Sequence, residues 1–275
     1  MQFVKMHGLG NDFVMVDARG LAGQDWSSLA RRCCDRRFGI GADGLVLVLE
    51  SATHDWRMRI INADGTEPEM CGNAIRCLAR YLHDQGLESR RSFTVETLAG
   101  EITPRLVADG QVAVDMGEPR LRPEQIPFIA DPGSERVVDA LLQVDDDPMK
   151  VTCVSMGNPH CVVFVEDLEP IALEWWGPMI ERHERFPQRT NVEFAKVHNR
   201  GEVTMRVWER GVGRTLACGT GACATAVAAV LNNLTDRQVI LHLEGGDLHI
   251  EWREGDNHVI MTGPAATVFR GDIPI

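Results

Sequence analysis

Two stretches of this chain, far apart in sequence, follow the same pattern, and that repeat limits what the chain can fold into. Met58-Arg59-Ile60-Ile61-Asn62 leads through a turn to Met70-Cys71-Gly72-Asn73-Ala74 and a helix-like run. Met205-Arg206-Val207-Trp208-Glu209 leads through a turn to Ala217-Cys218-Gly219-Thr220-Gly221 and another. Cys218 lies 147 positions after Cys71, and the same step relates Arg206 to Arg59, Asn158 to Asn11, Gly157 to Gly10, Asn191 to Gly44 and Val259 to Val112. One step held across separated motifs implies two structurally similar halves, each bringing a cysteine to the start of a helix. A cleft between such halves is where small ligands commonly bind.

The rest of the chain reads in the same two series. In the first half, strands are expected at Phe3 to Met6, Val14 to Val16, Leu45 to Leu49 and Trp56 to Ile61 from apolar alternation and flanking glycines. Ser27 to Arg36 reads as an amphipathic helix capped by Ser27. The helix after Cys71 should end near Gln85, where Gly86 can take the left-handed conformation of a helix stop. Three more strands are expected at Phe93 to Thr97, Glu101 to Leu106 and Val112 to Met116. Gly117 to Pro127 holds three prolines and reads as a linker. The acidic run Asp145 to Asp147 reads as a solvated turn. The second half supplies strands at Val151 to Ser155, Cys161 to Val165, Val192 to Ala195, Thr204 to Trp208, Val239 to Leu243, Leu248 to Trp252 and Val259 to Thr262. Helices are expected at Ile171 to His183 and from Cys218 to about Asn232, before a short tail.

Charge narrows the class of partner. With 28 Lys and Arg against 40 Asp and Glu, the net charge of -12 argues against nucleic acid, which rewards a basic surface. The longest small-apolar run, Ala222 to Leu231, is far short of a membrane span. The first residues carry no basic region followed by an apolar core, so a cytoplasmic protein with reduced thiols is expected. None of the eight cysteines forms a Cys-x-x-Cys pair, and no metal site is expected.

Free cysteine is usually a small buried residue, and Cys33, Cys34, Cys77, Cys153, Cys161 and Cys223 fit that description. Cys71 and Cys218 differ because each precedes a glycine at a helix start. Unpaired N–H groups and the helix dipole favour negative charge there, so both thiols are expected to have lowered pKa values. Two acid/base thiols on opposite faces of one carbon suit inversion of a stereocentre. No lysine stands in a recognisable Schiff-base context, so pyridoxal phosphate is not expected. The alternative support for a carbanion is electrostatic, from two helix N-termini at the substrate carboxylate.

At these residues the chain closely resembles the diaminopimelate epimerase family. The matching stretches are His7-Gly8-Leu9-Gly10-Asn11-Asp12-Phe13, Asn62-Ala63-Asp64-Gly65, Cys71-Gly72-Asn73, Ser155-Met156-Gly157-Asn158-Pro159-His160, Arg189-Thr190-Asn191-Val192, Glu209-Arg210-Gly211 and Ala217-Cys218-Gly219-Thr220-Gly221-Ala222-Cys223. They run in the family's order over nearly the whole chain. The resemblance implies an α+β fold of two pseudo-symmetric domains, each a curved sheet or barrel around a central helix. Residues 1–117, joined by the tail 264–275, form one half, and residues 118–263 form the other, with the active site in the cleft between them. It implies cofactor-independent interconversion of L,L- and meso-diaminopimelate, a precursor in lysine and cell-wall biosynthesis. Cys71 would be the proton donor and Cys218 the acceptor. The N–H groups of Gly72, Asn73, Gly219 and Thr220 would hold the reacting carboxylate. Asn11, Asn62, Asn158, Asn191, Glu209 and Arg210 would read the distal head, with Arg210 suited to a bidentate carboxylate grip. His160 and Glu209 would adjust the thiol pKa values. A homodimer with Phe269 in the tail region is also implied.

Three positions depart from the family pattern. Gly44 stands where many relatives have Gln, Ala74 where Gly is common, and Arg214 where Glu is common. Two other readings compete. One is a related proline or hydroxyproline-type racemase, which would not need the set of Asn residues with Glu209 and Arg210. The other is a non-enzymatic thiol switch, in which Cys71 and Cys218 form a reversible disulfide and no substrate hydrogen exchanges with solvent.

Overall fold

A computed structural model describes residues 1–273 apart from residue 22. The chain forms two compact units, Met1–Asp115 with Thr262–Ile275, and Met116–Met261. The first contains β1 (Gln2–Gly8), β2 (Asn11–Asp17), α1 (Trp26–Cys34), β3 (Gly44–Leu49), β4 (Trp56–Asn62), α2 (Gly72–Asp84), β5 (Val95–Thr97), β6 (Gly100–Ile102), β7 (Arg105–Leu106) and β8 (Gln111–Asp115). The chain continues through β9 (Ala140–Val144), β10 (Asp147–Ser155), β11 (Pro159–Phe164), α3 (Leu173–Glu181), β12 (Asn191–Asn199), β13 (Glu202–Glu209), β14 (Gly213–Thr215), α4 (Gly219–Leu231), β15 (Gln238–Leu243), β16 (Gly246–Trp252) and β17 (Val259–Pro264). It ends with β18 (Ala266–Asp272).

In the first unit the strand order is β18-β1-β2-β3-β4-β5-β6. The successive pairs β1/β2, β2/β3, β3/β4, β4/β5 and β5/β6 alternate antiparallel and parallel. Each parallel step needs a crossover, and α1 and α2 supply them. The second unit repeats this arrangement. Its strands run β17-β16-β15-β13-β12-β11-β10-β9, with β14 beside β13. The pairs β10/β11, β11/β12, β12/β13, β13/β15 and β15/β16 alternate in the same sense, and α3 and α4 make the crossovers. The 147-residue step carries α1 onto α3 and α2 onto α4 end for end.

The paired central helices explain the repeat. Ten residues of the 13-residue α2 are buried, from Gly72 to Leu82. It touches β1, β2, β3, β4, β7 and β8, so the strands curve around it. In α4, ten of 13 residues are buried as well, and it touches β10, β11, β12, β13, β15 and β16. A helix enclosed on all sides has no need of a polar stripe, and Gly219 to Leu231 carries no charge. The outer helices close the other faces. Leu29, Ala30, Cys33 and Cys34 of α1 join Phe3, Val14, Leu45 and Ile61 in one core cluster, while Leu173 and Ile180 of α3 join Val163, Val192 and Phe194 in another.

Several elements differ from expectation for local reasons. The cap of α1 is Asp25, whose side chain accepts from Ser28 N at 3.0 Å, while Ser27 instead donates its hydroxyl to Gly65 O. The helix α3 is shorter than expected and contains Pro178. Residues 117–127 are not a free linker. Arg120 exchanges two backbone bonds with Ser155, and Ile126 is fully buried in the second core. The strands β9, β14 and β18 were not expected. β18 is long and mostly exposed, and β1 holds it along one edge. The acidic run is indeed a turn, since it joins β9 to β10 with Asp145 at φ 51°.

Candidate active site

In the first unit, Cys71 is the N-cap of α2 with an extended backbone (φ -142°), and its carbonyl takes the first helical bond from Ile75 N. The helix rule leaves the N–H groups of Gly72, Asn73 and Ala74 without a carbonyl in their own helix. Asn11 opens β2 beside them. Its Oδ1 accepts from Asn73 Nδ2 at 2.9 Å and lies 3.7 Å from Cys71 Sγ, and its Nδ2 donates to Asp43 at 2.8 Å. Asn73 is held in turn by Arg76, which is fully buried and donates to Asn73 Oδ1 at 2.8 Å, to Gly72 O at 3.3 Å and to Pro264 O at 3.3 Å. Behind Asn11, Asp12 bonds Lys5 and Arg36. Burial alone would raise its carboxyl, but these cations hold it at about 2. Asn62 lies at the end of β4, where its Nδ2 donates to Thr66. Gly44 sits opposite Asn62 in the β3/β4 ladder, and a Cβ there would fall 3.0 Å from Ile61 O.

In the second unit, Cys218 is the N-cap of α4, again with an extended backbone (φ -119°). Its sulfur accepts from Gly221 N at 3.4 Å and lies 3.5 Å from Thr220 Oγ1. Thr220 Oγ1 is 3.2 Å from Asn158 Nδ2, and Asn158 Oδ1 is 3.1 Å from His160 Nε2. His160 is fully buried, with Nδ1 2.7 Å from Glu193 Oε1. Glu209, at the end of β13, accepts the Thr215 hydroxyl. Burial raises the Glu209 carboxyl above its ordinary range, and bonds from Thr215 and Cys218 offset this in part. Asn191, the first residue of β12, donates to Pro159 O at the start of β11 and accepts from Arg210 N just after β13. The Arg210 guanidinium donates to Gln188 O.

The expectation of a lowered pKa at Cys218 is overturned. The helix start does what was expected locally, since Gly221 N and Thr220 both favour the thiolate. Burial outweighs them, and the carboxylates of Glu209 and Glu193 push the thiol further up. Cys218 is therefore a protonated thiol at neutral pH in the free protein. Its alkylation by iodoacetamide, followed by peptide mass spectrometry, is expected to be slower at pH 7 than that of an exposed thiol and to climb as pH rises through the alkaline range. A rate already at its plateau at pH 7 would contradict this.

Two charged residues were missed, Arg76 and Glu193. Arg76 interrupts the apolar run Ala74 to Ala79, and that interruption was the available signal. Glu193 lies between Val192 and Phe194, so strand alternation sends it to an outer face. In the folded unit that face is covered by α4, whose first turn approaches Glu193 so closely that a Cβ on Gly221 would lie 2.7 Å from Oε1. Of the three departures, Ala74 is fully buried in α2. Arg214 has a structural account: it bridges Glu174 at 3.0 Å and Glu244 at 2.7 Å. The remaining cysteines, Cys33, Cys34, Cys77, Cys153, Cys161 and Cys223, are all buried.

The family model for diaminopimelate epimerase matches residues 3–122 and 152–268, more than half of the chain. The chain belongs to the diaminopimelate epimerase family. It is 58% identical to the diaminopimelate epimerase of Moorella thermoacetica over 281 aligned residues, with both proteins covered in full. It is 54% identical to that of Heliobacterium modesticaldum, again over the whole of both, and 53% identical to that of Synechocystis, covering 100% of this chain and 99% of the relative. Among solved structures it is similar to a Bacillus anthracis phenazine biosynthesis protein of the PhzF family, at TM-score 0.73 and 17% identity, covering 100% of this chain and 99% of the other. It is also similar to a hydroxyproline epimerase from Agrobacterium vitis, at TM-score 0.69 and 14% identity, covering 98% and 91%. At these identities the likeness is one of fold, and it places the two-domain α+β architecture of the family alongside that of PhzF and proline-racemase-like proteins.

Proposed function

We propose that this chain interconverts L,L- and meso-diaminopimelate without pyridoxal phosphate, as a two-base epimerase serving lysine and cell-wall precursor synthesis in the cytoplasm. The observation that carries this reading is the duplicated cysteine N-cap, Cys71 on α2 and Cys218 on α4, in a member of the diaminopimelate epimerase family. In the direction from L,L to meso, the Cys218 thiolate takes the α-proton and becomes a thiol. The Cys71 thiol delivers a proton to the opposite face and becomes a thiolate. The reverse reaction exchanges the roles, and no redox partner is needed. The N–H groups of Gly72, Asn73, Gly219 and Thr220 hold the reacting carboxylate and stabilise the charge that develops on the α-carbon.

The raised thiol of Cys218 fits an acid/base group that keeps its proton in the free chain and passes it, when substrate binds, to the Glu209 carboxylate to which it is hydrogen-bonded. Glu209 and His160 are the groups that adjust it. Asn11, Asn62, Asn158, Asn191, Glu209 and Arg210 read the distal amino-acid head. In the free chain the four asparagine side chains are held by neighbouring groups, so binding exchanges these bonds for bonds to substrate. The test is conversion of L,L- into meso-diaminopimelate by the purified, reduced chain with no added pyridoxal phosphate, read by proton NMR. A folded chain that leaves the substrate unchanged would refute the proposal.

The same reading includes a homodimer through the last strand. β18 ends the strand order on its side of the sheet and exposes Val268 and Phe269, with the Phe269 ring edge-on to Phe3 at 5.8 Å. An exposed apolar edge strand invites pairing with another chain. Phe269→Asp is expected to sediment as a monomer where the parent chain sediments as a dimer. Equal sedimentation of the two chains would remove Phe269 from the interface.

A further inference from the structure

Glu193 is a buried charged group of the second unit to which the mechanism gives no role. It is fully buried on β12, and its Oε1 lies 2.7 Å from His160 Nδ1. Among the described residues, its Oε2 is buried with no hydrogen-bond partner. A carboxylate in such a place costs free energy unless it is paired, and the bond to His160 is what offsets that cost. The fold does not require this pair. The 147-residue step relates His160 to Phe13 and Glu193 to Val46, both buried and apolar. The first unit thus builds the same two strands without it.

A line of bonds runs from this pair to the sulfur. Asn158 and Thr220 join His160 Nε2 to Cys218 Sγ in steps of 3.1, 3.2 and 3.5 Å. A carboxylate only accepts, so Glu193 keeps a proton on Nδ1. In a neutral ring Nε2 then accepts. Asn158 turns its NH2 toward Nε2 and its oxygen toward the Thr220 hydroxyl, and the Thr220 oxygen is left to accept the Cys218 S–H. In a doubly protonated ring Nε2 donates. The Asn158 amide then has the placement described above, Oδ1 toward Nε2 and Nδ2 toward Thr220 Oγ1, and the Thr220 O–H points at the sulfur, which is the bond a thiolate needs. The two states differ by a half-turn of one amide, whose oxygen and nitrogen exchange places.

We propose that Glu193 is a positioning residue for the epimerisation: by fixing the Nδ1 proton of His160 it sets, through Asn158 and Thr220, the hydrogen-bond direction that Cys218 meets. This rests on the reading of Cys218 as one of the two acid/base thiols.

The test combines nitrogen-15 NMR of His160 with kcat and KM for the parent chain and Glu193→Gln. In the parent chain the neutral ring carries its proton on Nδ1. In Glu193→Gln the amide NH2 donates to Nδ1, the proton moves to Nε2, and kcat falls about a hundredfold with KM changed by less than about threefold. Glu193→Asp, which restores an acceptor, recovers part of the loss. A parent ring protonated on Nε2 when neutral overturns the proposal without any variant, and so settles the case in which Glu193→Gln does not fold. A kcat for Glu193→Gln within about threefold of the parent overturns it as well. Cys218→Ala in the same assay separates the two ideas. If it stays active, the thiol reading fails. If it is inactive while Glu193→Gln is not, only the role of Glu193 fails.

Discussion

Cys71→Ala is expected to convert L,L- into meso-diaminopimelate at least about a thousandfold more slowly than the parent chain, because proton delivery by a placed acid is lost. It should nevertheless exchange the α-hydrogen of the L,L isomer with solvent deuterium. Cys218 remains able to take that proton and return a deuteron to the same face. Cys218→Ala should lose inversion to a similar degree and show the opposite preference, exchanging the meso isomer through Cys71. The measurement is proton NMR in D2O for each isomer with each variant. Inversion that survives either change, or equal exchange of both isomers by both variants, would refute a division of labour between two thiols. Each cysteine caps a buried helix at a position where alanine keeps the backbone, so both variants are expected to fold.

The second large effect is expected at Arg76. Its guanidinium is fully buried and holds Asn73, Gly72 and Pro264. Arg76→Met fills much of the volume but leaves those oxygens without their donor, at a cost of about 3 kcal/mol in unfolding free energy. The consequence for activity runs through Asn73. With Oδ1 released, its amide no longer aims Nδ2 at Asn11, and the groups beside Cys71 lose their fixed spacing. A displacement of about 1 Å at such a site costs on the order of a hundredfold in kcat/KM. Arg76→Lys is not expected to rescue this, because one ammonium cannot reproduce the planar fork. Urea unfolding checks the first effect and steady-state kinetics the second. A variant as stable and as active as the parent would show that Arg76 is only filling space.

Much of the fold was legible because it is written twice. The 147-residue step predicted corresponding helices, and α2 and α4 begin directly after Cys71 and Cys218. Gly86 marked the end of α2 for the expected reason, its φ of 68°. The misses have physical causes. The strand β18 has few core contacts, so its sequence carries little alternation, and its position depends on a ladder with β1 at the other end of the chain. Asp25 and Ser27 are both good caps, and tertiary contact with Gly65 decided between them.

The candidate site was legible where residues repeat or where the family resemblance reaches, as at His160 and Arg210, and illegible where neither helps. Cys71, Cys218, Asn11, Asn158, Asn73 and Thr220 sit in matching motifs. Arg76 corresponds to Cys223, and Glu193 to Val46, so the repeat gave no hint of either. The thiol of Cys218 was misjudged for the same reason. A helix start can be read from a sequence, but the two carboxylates that oppose it, Glu193 and Glu209, reach Cys218 only through the packing of β12 and β13 around α4.

The central claim is that one proton leaves the α-carbon to one thiol and another arrives from the second. The most direct measurement follows the reduced parent chain with L,L-diaminopimelate in D2O, without pyridoxal phosphate, from the first turnovers. The account predicts that meso product forms with deuterium at the inverted α-carbon, while unreacted L,L substrate stays largely protonated at early times. Meso product that retains the original α-hydrogen throughout would mean that a single group carries the proton across, and would contradict the account.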